Sequence, residues 1–410
     1  MKPKIAVLSF PGNNCEVESL RAIERCGMEA VFFKWNDSRE KLQDVAGYFI
    51  PGGFSYEDRG RAGMVAARDP LLSFIAEEAE KGKVVIGNCN GAQVLVESGL
   101  IPLDKGLKMS LARNVVEESA VGFINEWVWI TTTCARDRCA TSDWDGVMQL
   151  PIAHGEGRFT TKDPSVISEL KKNDQLAFSY CDAEGNVSDD APICPNGSFF
   201  GAAGICNKAG NVIAIMPHPE RTTDGDPYFI SMRKWIEQRG NVKVQKEEYG
   251  VDEPFMVGER QPRPMEIFID TIIVNNEERT VEQAARRIIP NLTLKQFKYF
   301  SLDTNDPQKV LSQLSLFNSN KEIAYIRRGD SVSRWDPDDK KEISVSESPL
   351  KQGVTLIRRD EPDTGAVALG SGGETGVCYV CKDVGEEDLK NRNLLEIFAN
   401  PHASTLERMC

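Results

Sequence analysis

The sequence predicts an α/β protein: a doubly wound, mostly parallel sheet over residues 1–240, then a smaller α+β domain over residues 265–410. Three observations carry this. Short apolar runs alternate with stretches of helical period through the first 240 residues, the pattern of a parallel sheet with helices on both faces. Several of those runs lead straight into glycine-bearing turns, which puts loops at the strand ends where α/β sites collect. Residues 241–264, NVKVQKEEYGVDEPFMVGERQPRP, are charged and proline-bearing with no sustained period, and read as a linker. A length of 410 residues, 40% hydrophobic and 27% charged, fits a globular chain of two or three domains.

Taken in order, Ile5-Ala6-Val7-Leu8 is the first buried strand. After the Gly12-Asn13-Asn14 turn, Val17, Leu20, Ile23 and Cys26 recur every three residues and stop at Gly27, which predicts a helix. Ala30 to Trp35 and Gly47 to Ile50 read as strands, Leu71 to Glu80 as a helix, and Val84-Val85-Ile86 as a strand feeding a helix from Gly91. Trp127 to Thr133, Gln175 to Tyr180 and Val212 to Met216 add strands, and a helix over Tyr228 to Gln238 closes the domain. Beyond the linker, Met265 to Val274, Phe297 to Leu302 and Ile323 to Ile326 are strand-like, with helices over Val281 to Ile288 and Gln308 to Leu314. From Gly329 the pattern thins to polar turns, one strand at Val354 to Ile357 and a helix near Leu389 to Ala399. No internal repeat is visible.

Composition excludes several classes of function. The balance of 49 basic and 62 acidic side chains gives a formal charge of −13, which repels phosphate backbones and anionic lipid surfaces, so no nucleic acid and no membrane partner is expected. No apolar run approaches a spanning helix and the first residues lack an export signal, so the expected location is cytoplasmic. Eleven cysteines, an odd number, suit a reducing compartment. With only His154, His218 and His402, and the pairs Cys134/Cys139 and Cys378/Cys381 at unlike spacings, a zinc ribbon is poorly supported.

Gly87-Asn88-Cys89-Asn90-Gly91, between a strand and a helix, has the form of a nucleophile elbow. Such a turn is tight, so its flanks must be small, and it lifts the central side chain over the strand ends at the positive end of the next helix. A packed core thiol is the plain alternative. A thiolate nucleophile needs a base and a group to orient it. His218 stands just past the apolar run ending at Met216, and Glu220 follows two residues later, where extended backbone would point both side chains the same way. A capped turn after a strand is the structural alternative. Pro51-Gly52-Gly53-Phe54 follows the strand Gly47 to Ile50, and its amides are free to turn inward as an oxyanion hole.

The order glycine loop, cysteine elbow, His-x-Glu resembles the class I glutamine amidotransferases, flavodoxin-like proteins with a Cys-His-Glu triad in that order. Within them, Pro11-Gly12-Asn13-Asn14-Cys15, Pro51 to Tyr56, Asn88 to Gly91, Pro151 to Phe159 and Pro217 to Arg221 are similar to the glutaminase subunits of phosphoribosylformylglycinamidine synthase. The resemblance implies hydrolysis of glutamine to glutamate and ammonia through a glutamyl thioester. It also implies a partner synthetase that uses ATP and Mg2+ to aminate formylglycinamide ribonucleotide in purine biosynthesis. Carried over, Cys89 is the nucleophile, His218 the base and Glu220 its orienting partner. The amides near Gly53, Phe54 and Asn90 supply oxyanion donors, Gly52 belongs to the same substrate-binding loop, and Gln93 is a glutamine-pocket candidate. No cofactor and no metal is expected on this chain. A subunit serving another acceptor, and a non-catalytic flavodoxin-like protein with a reactive cysteine, are the alternatives.

Some features fall outside that reading. Glu57 and Arg59 stand near where the family more often has glycine and an aromatic or aliphatic residue, and Asn88 and Ala92 differ mildly around the elbow. The Ala153-His154-Gly155-Glu156-Gly157-Arg158 stretch suits a loop near the site or the synthetase contact, with His154 not the base. The order strand, helix, strand, helix, strand over Met265 to Ile326 is compatible with the small accessory subunit of the same synthase or with an unrelated docking module. Gly370 to Gly376 lacks the Lys-Ser/Thr ending of a phosphate loop and reads as a flexible loop. Cys378 and Cys381 read as two packed thiols on a strand, and Trp335 to Asp339 as a solvated turn.

Overall fold

The computed structural model describes residues 2–102, 106–116, 119–239, 255–261, 263–369 and 372–409. They form two compact units, Met1–Asp252 and Glu253–Cys410. The first holds a nine-stranded sheet of Lys4–Ser9 (β1), Glu29–Lys34 (β2), Gly47–Ile50 (β3), Val84–Asn88 (β4), Ile124–Thr132 (β5), Val147–His154 (β6), Leu176–Cys181 (β7), Ala202–Cys206 (β8) and Val212–Ile215 (β9), in the order β2-β1-β3-β4-β9-β8-β7-β5-β6. The strands from β2 to β9 in that order pair in parallel, and the other four add on antiparallel. The parallel part is therefore smaller than the sequence suggests. β5 and β6, and likewise β8 and β9, are joined without a helix, and a chain that turns back without a crossover returns antiparallel.

Period-two alternation sorts the parallel strands between two cores. Ile5 and Val7 face one side with Ala22 and Ile23 of Glu16–Arg25 (α1) and Phe229 and Met232 of Asp226–Arg239 (the last helix of the unit). Ala6 and Leu8 face the other side with Leu71 and Ile75 of Pro70–Glu80 (α2), Leu95 of Asn90–Glu97 (α3) and Leu170 of Pro164–Lys172 (α4). Both faces are covered, which is why these strands read as unbroken apolar runs. Asp69 caps α2 by accepting from the Leu71 amide at 2.9 Å, with Pro70 at the first helical position. The neighbours β1, β3, β4 and β9 all end on one edge, and each carboxyl end leads into one of the motifs: Gly12 to Cys15, Gly52-Gly53, Cys89 and His218. The sequence reading missed β6, β8 and α4, and His154, placed there in a loop, is the last residue of β6.

The second unit is another nine-stranded sheet: Gly258–Glu259 (β10), Met265–Thr271 (β11), Thr293–Leu302 (β12), Glu322–Arg328 (β13), Ser331–Asp336 (β14), Lys341–Ser344 (β15), Val354–Asp360 (β16), Gly373–Lys382 (β17) and Ser404–Met409 (β18). Its order is β10-β18-β16-β17-β12-β11-β13-β14-β15. Six of these strands make the same arrangement twice. In β11, β12 and β13 the first strand lies between the second and third, antiparallel to both, and β16, β17 and β18 do likewise. The lengths are seven, ten and seven residues in one set and seven, ten and six in the other. The registers agree too: the second residue of the first strand faces the sixth of the third in both sets, Glu266 opposite Arg327 and Thr355 opposite Met409. The two ten-residue strands then pair with each other antiparallel along their whole length, Thr293 opposite Lys382 to Leu302 opposite Gly373. The unit thus has a local two-fold axis near Lys298 and Val377, an internal repeat that the sequence does not display.

Several readings change accordingly. Of the proposed linker, residues 241–254 and 262 lie outside the described residues. Gly258–Glu259 pairs with β18, and Arg260, 6% exposed, is buried in the second unit. The glycine stretch continues as β17 from Gly373, while Gly370 and Ser371 lie outside the described residues. Cys378 and Cys381 are three apart on that strand, so they point to opposite faces and cannot share an ion. Trp335 and Asp336 end β14. Among the described residues no helix is long and apolar enough to cross a membrane.

Arg260 joins the two halves of the repeat. Its guanidinium reaches Glu374 at 2.7 Å and Glu407 at 2.9 Å in the second set, and Tyr299 Oη at 2.5 Å in the first, with Glu266 3.5 Å away. Arg327 also holds Glu266, and Arg359 also holds Glu374 and Glu407. Breaking a buried pair by removing one partner costs about 3–5 kcal/mol. Arg260→Ala is therefore expected to destabilise the second unit by about that amount, which unfolding followed separately for each unit will measure. An unchanged second transition would show that the neighbouring arginines suffice.

Candidate active site

Cys89 follows β4 directly and caps α3, at φ 50° and ψ −107°. Left-handed φ is strained for a residue with a Cβ, and the surroundings enforce it. A Cβ on Gly91 would lie 1.9 Å from the Ile50 carbonyl oxygen, and one on Gly87 2.3 Å from the Gly91 carbonyl oxygen. No larger residue fits either flank, as the elbow reading requires. The Cys89 sulfur rests 3.6 Å from the Ala153 carbonyl oxygen and the side chain is 5% exposed.

His218 leaves the end of β9, its amide bonded to the Pro151 carbonyl at 2.9 Å. Its Nδ1 is 2.6 Å from Glu220 Oε1, and both side chains are buried. The pairing does not arise from extended backbone, because residues 219–221 form a helical turn begun by Pro219, and that turn folds the carboxylate back under the ring. The other Glu220 oxygen accepts from Asn88 Nδ2 at 2.8 Å. Asn88 is thus part of the site. An amide on the last residue of an otherwise apolar, fully buried strand was the available signal.

Burial alone would push the His218 pKa down, but the Glu220 carboxylate and the neighbouring Cys89 sulfur outweigh it and hold it well above the usual histidine value. Burial would push Glu220 up, and the His218 charge with the hydrogen bonds from His218 and Asn88 holds it below the usual carboxylate value. The pair therefore favours imidazolium beside carboxylate, with Nε2 unpartnered among the described side chains.

The glycine loop closes over this pair. A Cβ on Gly52 would meet His218 Cε1 at 2.7 Å, Cys15 Sγ at 3.1 Å and Cys89 Cβ at 3.4 Å, so that point lies among all three side chains. The Phe54 amide donates to the Gly12 carbonyl at 3.0 Å, so it is not an oxyanion donor, and its ring is 44% exposed. The amides of Gly53 and Asn90, the latter in the first turn of α3, remain for that role. The Asn90 side chain accepts from the Ser55 amide at 3.0 Å and donates to Asp58 and Gln93. Gln93 in turn donates to the Glu156 carbonyl at 2.6 Å, so it braces the glycine loop against the 153–158 turn. Burial, with the Glu156 carboxylate nearby, pushes Asp58 up to about 7.

Cys15 was read only as part of a motif, yet its sulfur accepts from Arg221 Nη2 at 3.0 Å and lies within 4.8 Å of ligand atoms of His218 and Glu220. Tyr56, Glu57 and Asp58 all have left-handed φ, at 52°, 58° and 53°. That explains why glycine suits position 57, and Glu57 meets the strain at an exposed place, paired with Arg59 at 2.9 Å. Arg61 makes a two-pronged pair with Glu97 at 2.6 and 2.9 Å.

Residues 2–244 match the CobB/CobQ-like glutamine amidotransferase domain family. The chain belongs to that family. The chain is 40% identical over 259 residues to phosphoribosylformylglycinamidine synthase subunit PurQ of Methanothrix thermoacetophila, covering 58% of this chain and 99% of that protein. It is 37% identical over 238 residues to the subunit of the same name from Thermus thermophilus, covering 56% and 98%. Among solved structures it is similar to a chain of PurLQS from Thermotoga maritima, at 32% identity and a TM-score of 0.46, covering 58% of this chain and all of that one.

Two predictions follow from the geometry. Gly52→Ala is expected to lower the glutaminase turnover by about 10²-fold or more, since displacing a catalytic group by about an ångström has that effect, with an unchanged far-UV spectrum. The second concerns pH. A raised His218 pKa stabilises the fold fully below the unfolded value of about 6.5, and a lowered Glu220 pKa does so above about 4.3. The excess stability of the wild type over Glu220→Gln is thus expected to be greatest between those values. It should shrink as pH falls through the lowered Glu220 pKa or rises through the raised His218 pKa. A pH-independent difference in unfolding free energy would contradict the assignment.

Proposed function

We propose that the amidotransferase unit is the glutaminase of a phosphoribosylformylglycinamidine synthase. The observation that carries this is a strained Cys89 beside a buried His218–Glu220 pair, in a unit matching PurQ subunits over nearly their full length. In this reading the Cys89 sulfur attacks the side-chain amide carbon of glutamine. The Gly53 and Asn90 amides receive the developing oxyanion. His218, held by Glu220, gives its Nε2 proton to the departing nitrogen, and water then releases glutamate from the thioester with His218 as base.

The ammonia goes to a separate synthetase chain that binds ATP and Mg2+ and aminates formylglycinamide ribonucleotide. The expected location is the cytoplasm. For the second unit we favour a docking module of the same enzyme, corresponding to its small accessory subunit. The strand, helix, strand, helix, strand order of residues 265–328 supports that choice, and its strand arrangement recurs in residues 354–409.

In the complex with its synthetase, Cys89→Ala is expected to abolish glutamine-dependent amination and leave ammonia-dependent amination intact. Loss of both in a folded variant, or of neither, rejects the reading. Offering other acceptor nucleotides to the same complex tests the acceptor.

A further inference from the structure

His154 is 3% exposed, and among the described residues neither of its ring nitrogens has a hydrogen-bond partner beyond its own main chain. Leaving a buried polar atom unsatisfied costs about 1–3 kcal/mol, and neither nitrogen of this ring hydrogen-bonds to another described residue. A core histidine kept for packing would be expected to have found partners. Instead the neighbouring sequence makes room for the ring and holds it. A Cβ on Gly157 would lie 2.2–2.6 Å from three ring atoms, so the ring lies flat against that glycine. Asn114 clamps the turn: its side chain donates to the His154 carbonyl at 2.9 Å and accepts from the Gly157 amide at 3.1 Å, and its own amide donates to the Gly155 carbonyl at 3.0 Å.

The position is as specific as the support. His154 follows Ala153, whose carbonyl touches the Cys89 sulfur, and it feels the charge of His218. The ammonia is released between those two side chains. We propose that the His154 imidazole is a relay for that ammonia, a neutral hydrogen-bonding post that receives it as it leaves Cys89 and His218 and passes it on toward the acceptor chemistry. This rests on the glutaminase reading.

The chemistry balances without a further reactant. Attack forms the C–S bond, collapse breaks the C–N bond, and the His218 proton completes neutral NH3. Burial, aided by the His218 charge, pushes His154 down to about 3, so at neutral pH its ring offers one N–H and one lone pair. Such a ring exchanges hydrogen bonds with ammonia without protonating it. A protonated carboxyl, as Asp58 becomes below about 7, would trap it as ammonium.

The test uses the complex with its synthetase and measures glutamate formed and ammonia transferred to formylglycinamide ribonucleotide in the same reaction. For His154→Ala the ammonia transferred per glutamate is expected to fall several-fold, the remainder appearing in bulk solution. His154→Gln, which keeps a donor and an acceptor, should recover part of the ratio, and Gly157→Ala, which displaces the ring, should lower it even where His154→Ala does not fold. A ratio unchanged in all three variants, whether or not the rates fall, would overturn the relay and leave His154 a support for the triad or the fold. Loss of amination with added ammonium would place the defect at the synthetase and overturn it as well. Glutamine-dependent amination surviving in Cys89→Ala would instead reject the glutaminase reading beneath it.

Discussion

Glu220 carries its charge with no access to solvent, and the energetics of that position organise the amidotransferase unit. An isolated buried carboxylate is prohibitively expensive, so it must be fully paired or protonated. Here one oxygen takes the His218 ring and the other the Asn88 amide. Asn88 is the residue before the nucleophile, so the group that satisfies the carboxylate also ends the strand that aims Cys89. The base, its support and the nucleophile are thereby linked through two adjacent strand ends, β4 and β9, which pair in register from Val85 with Val212 to Asn88 with Ile215.

Around this pair the chain stores strain in an orderly way. Cys89 and the run Tyr56 to Asp58 hold left-handed backbone, and both lie on loops that leave parallel strands at the same edge. Glycine is required where backbone passes backbone, at 87 and 91, and where side chains crowd, at 52 and 157. Positions 57 and 59 of the glycine loop instead carry an ionic pair, with Glu57 exposed.

Much of the amidotransferase unit was legible because its physics is local. An apolar run buried on both faces and a turn that admits only glycine leave marks on consecutive residues, so β1, β3, β4 and the elbow could be read directly, while His218 and Glu220 were paired correctly but on extended backbone where the chain forms a helical turn. What escaped depends on distant partners. β8 reads as small residues, Ala202 to Cys206, and becomes a strand only because β7 and β9 flank it. The Phe54 amide looked free until the Gly12 carbonyl was found to face it. Cys15 and Arg221 are 206 positions apart, and no spacing rule joins them. In the second unit, the glycine-bearing first half of β17 was read as a loop, because its stability comes from a ten-residue ladder to β12.

That ladder has a consequence for assembly. If either three-strand set stood alone, its ten-residue strand would be an open edge, a template for pairing with any other chain. Each set closes the other's edge, which is what two copies of a smaller protein would do by meeting in solution. Carried on one chain, the encounter no longer depends on concentration: the effective local concentration is set by the connecting residues, and dilution cannot separate the halves. Because the two halves differ in sequence, the surfaces flanking the axis are also free to diverge, so one side can be tuned for a contact that the other need not make.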